Sequence, residues 1–132
     1  MHYRIEFGIP EIRDFYDDLR LRAKTGKLSK SEIRIFKLFS KAITFLESNP
    51  LHNSLSSHEN NNLSSKYSKQ HGLKIKVWQS YLENNTPAAG RLYWVYGPVK
   101  GVITIIGIEP HPEDKKSSGY AKVTLSDLPD LD

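Results

Sequence analysis

The sequence contains no cysteine, which excludes a disulfide framework, a thiolate nucleophile and a sulfur-ligated zinc site. Long hydrophobic runs are missing too. The longest, Val102 to Ile108, is far short of a bilayer span, and the opening Met-His-Tyr-Arg-Ile-Glu has no apolar segment behind its charges. Neither a membrane segment nor an export signal is therefore expected, and a cytoplasmic location fits best. No phosphate-cradling Gly-rich loop, Gly-x-Ser-x-Gly elbow or His-Glu-x-x-His pair occurs. What is present is ring surface: two Trp, seven Tyr and five Phe in 132 residues. That is too much for a disordered chain, and the length suits one domain, residues 1–132, with its own core.

The net charge of +4 is unevenly spread: +3 over residues 1–50, +4 over 51–108 and −3 over 109–132. A basic middle suits either a well-solvated surface or a face for a polyanion, and charge alone does not separate the two.

Tyr3, Ile5 and Phe7 alternate with polar residues and predict a short strand. Pro10 then suits a first helical position, and Ile12, Phe15, Tyr16, Leu19 and Ala23 follow at helical spacing until Gly26. Ser29 and Glu32 stand at capping-box spacing before a second helix, whose apolar arc runs from Ile35 to Leu46 and which Asn49-Pro50 closes. The two helices read as an antiparallel hairpin. From His52 to Gly72 the chain turns to Ser, Asn, Lys and His, which reads as a long polar loop, mobile or functional. Three strands are expected after it, at Lys74–Leu82, Arg91–Tyr96 and Val102–Ile108, the last apolar on both faces as a central strand should be. Tyr120 to Leu125 reads as a weaker edge strand or an extended arm, and residues 126–132 as a frayed acidic tail. The order β-α-α-β-β-β predicts an α+β fold in which the helical hairpin packs on one face of a mainly antiparallel four-stranded sheet.

Alternation from Lys74 puts Lys74, Lys76 and Trp78 on one strand face and Ile75 and Val77 on the other, the apolar pair packing beneath the helices. Two ammonium groups and an indole on the open face suit RNA, the cations meeting phosphates and the ring stacking on an unpaired base. The bland alternative is a solvated strand whose Trp covers a neighbouring chain or its own loop. Arg91 opens the next strand, where its guanidinium can clamp a phosphate or pair with Glu83. His111 lies between two prolines after the central strand, with carboxylates nearby; it is either a general acid or an inert surface histidine. If the hairpin centres on Val99, Arg91 faces residue 107 and His111 overshoots it by four residues, roughly 13 Å when extended. His52, His58 and His71 match no compact metal-ligand pattern, so no metal is expected.

Together the first strand, the α-hairpin, Gly72-Leu-Lys-Ile-Lys-Val-Trp78, Arg91-Leu-Tyr-Trp-Val-Tyr96, a Gly-Pro turn and Val102-Ile-Thr-Ile-Ile-Gly-Ile-Glu-Pro-His111 resemble the RelE/ParE superfamily of bacterial toxins. The resemblance spans the chain to about residue 116. It implies an mRNA endoribonuclease that works on the ribosome, needs no metal or cofactor and is silenced by a cognate antitoxin protein. The ribose 2′-hydroxyl attacks the adjacent phosphate in such enzymes. Matched by position, Arg91 corresponds to the arginine that begins the third strand, His111 to the acid or phosphate-binding residue after the fourth, and Lys74 with Lys76 to the basic second strand. Lys74, Lys76 and Arg91 are thus expected to hold one phosphate, with His111 as acid. Trp78, Lys115, Lys116 and Tyr120 are then expected along the RNA. The base is open among Glu109, the first choice, Glu83 and Glu59. Departures are the long 52–72 segment, the 83–90 link, a single arginine where several members carry two, and the acidic tail. The alternative on the same scaffold is a non-catalytic binding module, either a gyrase inhibitor or a protein-interaction domain.

Overall fold

A computed structural model of the chain describes residues 2–82 and 90–109, together with Ser126 and Leu128. In chain order the elements are β1 (Arg4–Phe7), α1 (Pro10–Lys24), α2 (Lys30–Ser48), a 3-10 turn (Asn53–Leu55), β2 (His58–Glu59), α3 (Asn61–His71), β3 (Trp78–Tyr81), β4 (Arg91–Tyr96) and β5 (Val102–Glu109). The strands form one sheet in the order β1-β5-β4-β3-β2. β1 runs parallel to β5, and the other neighbours are antiparallel. The fold is therefore α+β with a mixed five-stranded sheet, in place of the expected four strands. No helix among the described residues is long and apolar enough to cross a membrane.

The hairpin forms as its caps dictate. Pro10 opens α1, and Ser29 caps α2 by accepting from the Glu32 amide at 3.2 Å while Glu32 Oε1 accepts from the Ser29 amide at 3.0 Å. Arg22 on α1 bonds the Glu32 carboxylate and, at 3.0 Å, Asp18, so one guanidinium joins the two helices. That bond from Arg22, then the Ser29 amide, holds the Glu32 carboxyl down at about 2. Ile12, Phe39, Ala42 and Leu46 of the hairpin pack on Leu92, Trp94, Ile103 and Ile105 of β4 and β5. Trp78 stacks on Trp94 at 5.7 Å with the rings 17° apart. The Trp94 indole N–H donates to Ser80 Oγ at 2.7 Å, which satisfies a polar group inside this core.

The segment read as a polar loop is instead built. Residues 52–72 hold the 3-10 turn, β2 and the eleven-residue α3, which covers part of the sheet face opposite the hairpin. Leu63 and Tyr67, one turn apart on α3, pack on Val77, Tyr93, Val95 and Ile106. Asn60 caps α3 by accepting from the Leu63 amide at 3.0 Å, and Gly72 ends it at φ 65°, a left-handed conformation that suits glycine. Strand β3 starts at Trp78, four residues later than expected. Residues 74–77 lie along α3: Ser68 Oγ accepts from Ile75 N and donates to Ile75 O, both at 2.9 Å, and Ser64 Oγ accepts from Val77 N at 2.7 Å. Two hydroxyls spaced one helical turn apart thus do for this segment what a neighbouring strand does elsewhere.

In β5, Tyr93 faces Gly107 while Trp94 faces Ile105, so Ile106 is an extra residue and the strand bulges there. The Ile106 carbonyl accepts from the Ser126 amide at 2.8 Å, and Tyr67 Oη donates to the Ser126 carbonyl at 2.7 Å. Leu128 packs on the α3-side core. Ser126 and Leu128, expected in a frayed tail, are docked. The expected strand at Tyr120–Leu125 lies outside the described residues.

Candidate phosphate-binding face

The two sheet faces divide the expected site. Val77, Tyr93 and Val95 belong to the α3-side core, and Trp78, Leu92 and Trp94 to the hairpin-side core. Strand alternation therefore sets Arg91 on the α3 side with Tyr93, while in the segment before β3 it is Ile75 and Val77 that pack on the α3-side core, with Lys74 and Lys76 alternating with them. Val77, expected beneath the hairpin, packs on the opposite face. Lys74 and Lys76 are exposed, but Tyr81, which pairs with Arg91, lies five residues beyond Lys76, about 17 Å of extended chain. The two amines and the guanidinium do not converge. Trp78 is half-buried against Trp94 and Tyr96, so it is a wall of the core and offers no free stacking platform.

Around Arg91 a different group of side chains assembles. Tyr81 on β3 lies directly across from it, and the guanidinium carbon sits 5.5 Å from the centre of the Tyr81 ring. The ring's electron-rich face attracts the cation and holds it in place at a half-buried position. Tyr81 is itself held: its hydroxyl accepts from Gln79 Nε2 at 3.1 Å, and Gln79 Oε1 accepts from Asn60 Nδ2 at 3.1 Å. Gln79 is fully buried. The same Asn60 caps α3, so one chain of amides runs from the helix start to the ring under Arg91. On the far side of Gln79, His58 of β2 pairs with it, and the His58 ring lies 6.0 Å from that of Tyr81.

On the other flank, Arg91 pairs with Glu109 of β5. Expectation placed residue 107 there; a hairpin centred half a residue later and the bulge at Ile106 together shift the register by two. His111 thus follows the paired residue by two positions rather than four. Glu59 pairs with Trp78, on the hairpin-side alternation, which removes it from the face that carries Arg91. His111, Lys115, Lys116, Tyr120 and Glu83 lie outside the described residues.

The sequence reading missed Tyr81 as the partner of Arg91, and Gln79, Asn60 and His58 as the residues arranged around Tyr81. Only Tyr81 carried a signal, since it stands at the end of an aromatic-rich strand with the polar 83–90 link after it. Two further histidines make ring contacts: His52 stacks on Phe45 at 4.0 Å, and His71 lies tilted against Tyr67 at 4.3 Å. Among the described residues no three His, Asp or Glu side chains gather as metal ligands. The face offers a planar cation, a phenol and an imidazole on a rigid sheet, an arrangement that can bind an anion and exchange a proton beside it. No known protein-family model, curated protein or solved structure matches the chain.

Proposed function

We propose that this chain is the toxin of a type II toxin–antitoxin pair, of the RelE/ParE kind: a cytoplasmic endoribonuclease that cuts mRNA on the ribosome through attack of a 2′-hydroxyl on the adjacent phosphate. The observation that carries the reading is Arg91, half-buried over Tyr81 and braced through Gln79 and Asn60. Burial raises the worth of a guanidinium toward a phosphate, and bracing lowers the cost of placing it. The element order, with a helical hairpin on one sheet face, supports the same family. β2 and α3 on the second face are an elaboration of that plan. Lys74 and Lys76, remote from Arg91, then serve flanking phosphates of the RNA, and His111 remains the acid for the leaving 5′-oxygen.

The test is to express the chain without a partner and map mRNA ends during growth arrest. Wild type arrests growth and yields new 5′ ends within translated messages. Arg91→Ala lowers cleavage on the order of 10²–10³-fold, the usual loss when one preorganised charge donor is removed. Growth arrest without new RNA ends, unchanged by Arg91→Ala, overturns the reading.

A second reading, a non-catalytic interaction module, is favoured by one feature. At the looped end of the hairpin, where α1 turns into α2, Ala23, Leu28, Ile33 and Phe36 line an apolar cleft of about 290 Å³, with Lys37 at its border. Such a cleft accepts an apolar side chain of a protein partner, including an antitoxin. If partner binding survives Arg91→Ala but fails in Ile33→Asp while no RNA is cut, this second reading replaces the first.

A further inference from the structure

We propose that His58 is the general base of the ribonucleolytic reaction, taking the 2′-hydroxyl proton at Nε2; the inference rests on the nuclease reading above and supplies the base for which Glu109, the first choice, Glu83 and Glu59 were the candidates. His58 Nδ1 lies 3.1 Å from the Ser56 carbonyl oxygen. A carbonyl only accepts, so the proton of the neutral imidazole sits on Nδ1 and the lone pair on Nε2. Ser56 adopts a left-handed conformation, φ 47° and ψ 42°, at the end of the 3-10 turn. That is an unusual state for a residue with a Cβ, and it belongs to the turn that presents this carbonyl.

The location fits the role. His58 is exposed and Arg91 half-buried, and both lie against the same phenol ring, at 6.0 and 5.5 Å. β2 exists only as His58–Glu59, and pairing with β3 puts His58 opposite Gln79, on the alternation that carries Tyr81 and Arg91. Glu59, the neighbouring candidate, falls on the other alternation. In the step, Nε2 accepts the 2′-hydroxyl proton, O2′ bonds to phosphorus and the phosphorus–O5′ bond breaks. The products are a 2′,3′-cyclic phosphate and a 5′-hydroxyl, whose proton comes from the acid. Arg91 binds the non-bridging oxygens throughout.

The experiment uses ribosomes programmed with a defined mRNA and compares single-turnover cleavage by wild type, His58→Ala and His58→Asn. The asparagine keeps a donor for the Ser56 carbonyl but has no basic nitrogen. Both variants are expected to cut roughly 10²–10⁴-fold more slowly with ribosome binding held to within about twofold, and free imidazole partly restores cleavage by His58→Ala. Cleavage by His58→Asn at the wild-type rate overturns the assignment, as does a loss in His58→Ala that imidazole does not restore. Wild type that binds programmed ribosomes and cuts nothing overturns the nuclease reading itself, and the assignment with it.

Discussion

The two faces of the sheet are built in different ways. On the hairpin side the contacts are between large apolar residues: Phe39 and Leu46 meet Leu92, Trp94, Ile103 and Ile105, and Tyr16 stacks on Phe39 at 5.1 Å. On the α3 side two side chains of the helix, Leu63 and Tyr67, enter a smaller core, and the remaining attachment is by hydrogen bonds from Asn60, Ser64 and Ser68. Burial of apolar area is non-directional and strong, so the first face supplies stability. Hydrogen bonds are directional, so the second face fixes positions, and Arg91 and His58 stand on it.

Substitution should separate the faces. Trp94→Ala removes the largest fully buried side chain and is expected to cost about 3–5 kcal/mol in denaturant unfolding, the usual range for an aromatic cut out of a core. A cost below that of any α3 substitution would invert the comparison. Ser64→Ala strips the buried Val77 amide of its acceptor and is expected to cost about 1–3 kcal/mol. Hydrogen exchange should place that loss locally, with amides of α3 and residues 74–77 opening before those of α2. Uniform acceleration across both faces would show that the α3 side is no separate unit.

The smallest effect concerns acid. The Glu32 carboxyl is held below its ordinary 4.5, at about 2 in the folded chain, first by Arg22 and then by the Ser29 amide. A depressed carboxyl contributes stability that is present above the unfolded value and lost as pH falls through the folded one. The contribution therefore fades between pH 4.5 and 2, and Glu32→Gln should flatten the fall of the melting temperature over that window. Both side chains are half-buried at the surface, with about a third of each open to solvent, so the change is small and shrinks with added salt.

The same division decides what could be read from the chain. The hairpin face was legible because its residues repeat: Ile12, Tyr16, Leu19 on α1, Phe39, Ala42, Leu46 on α2, and the capping pair Ser29 and Glu32 are local patterns with local causes. α3 was not, since Asn61 to His71 carries only Leu63 and Tyr67 as large apolar residues and reads as loop. Its helix depends on the Asn60 cap and on bonds to a segment that follows it, which no local window contains. Arg91 was found as a candidate from its place at a strand start. Its surroundings were not, because Tyr81 meets it through register, Gln79 and His58 reach Tyr81 through a side-chain hydrogen bond and a two-residue strand, and the bulge at Ile106 leaves no unambiguous mark in an isoleucine-rich run.

In the proposed function, binding and chemistry fall to different parts of the surface, with Arg91 at the reacting phosphate and Lys74 and Lys76 on the segment before β3. Measuring the cleavage rate of bound mRNA and the salt dependence of its binding for Arg91→Ala and for Lys74→Ala with Lys76→Ala tests it directly. The account predicts that the arginine variant loses the bound-state rate, whereas the double lysine variant keeps that rate and shows a shallower salt slope, by about 1 to 2 in log–log terms. A double lysine variant that binds normally but no longer cuts, beside an arginine variant that cuts at full rate, would contradict it.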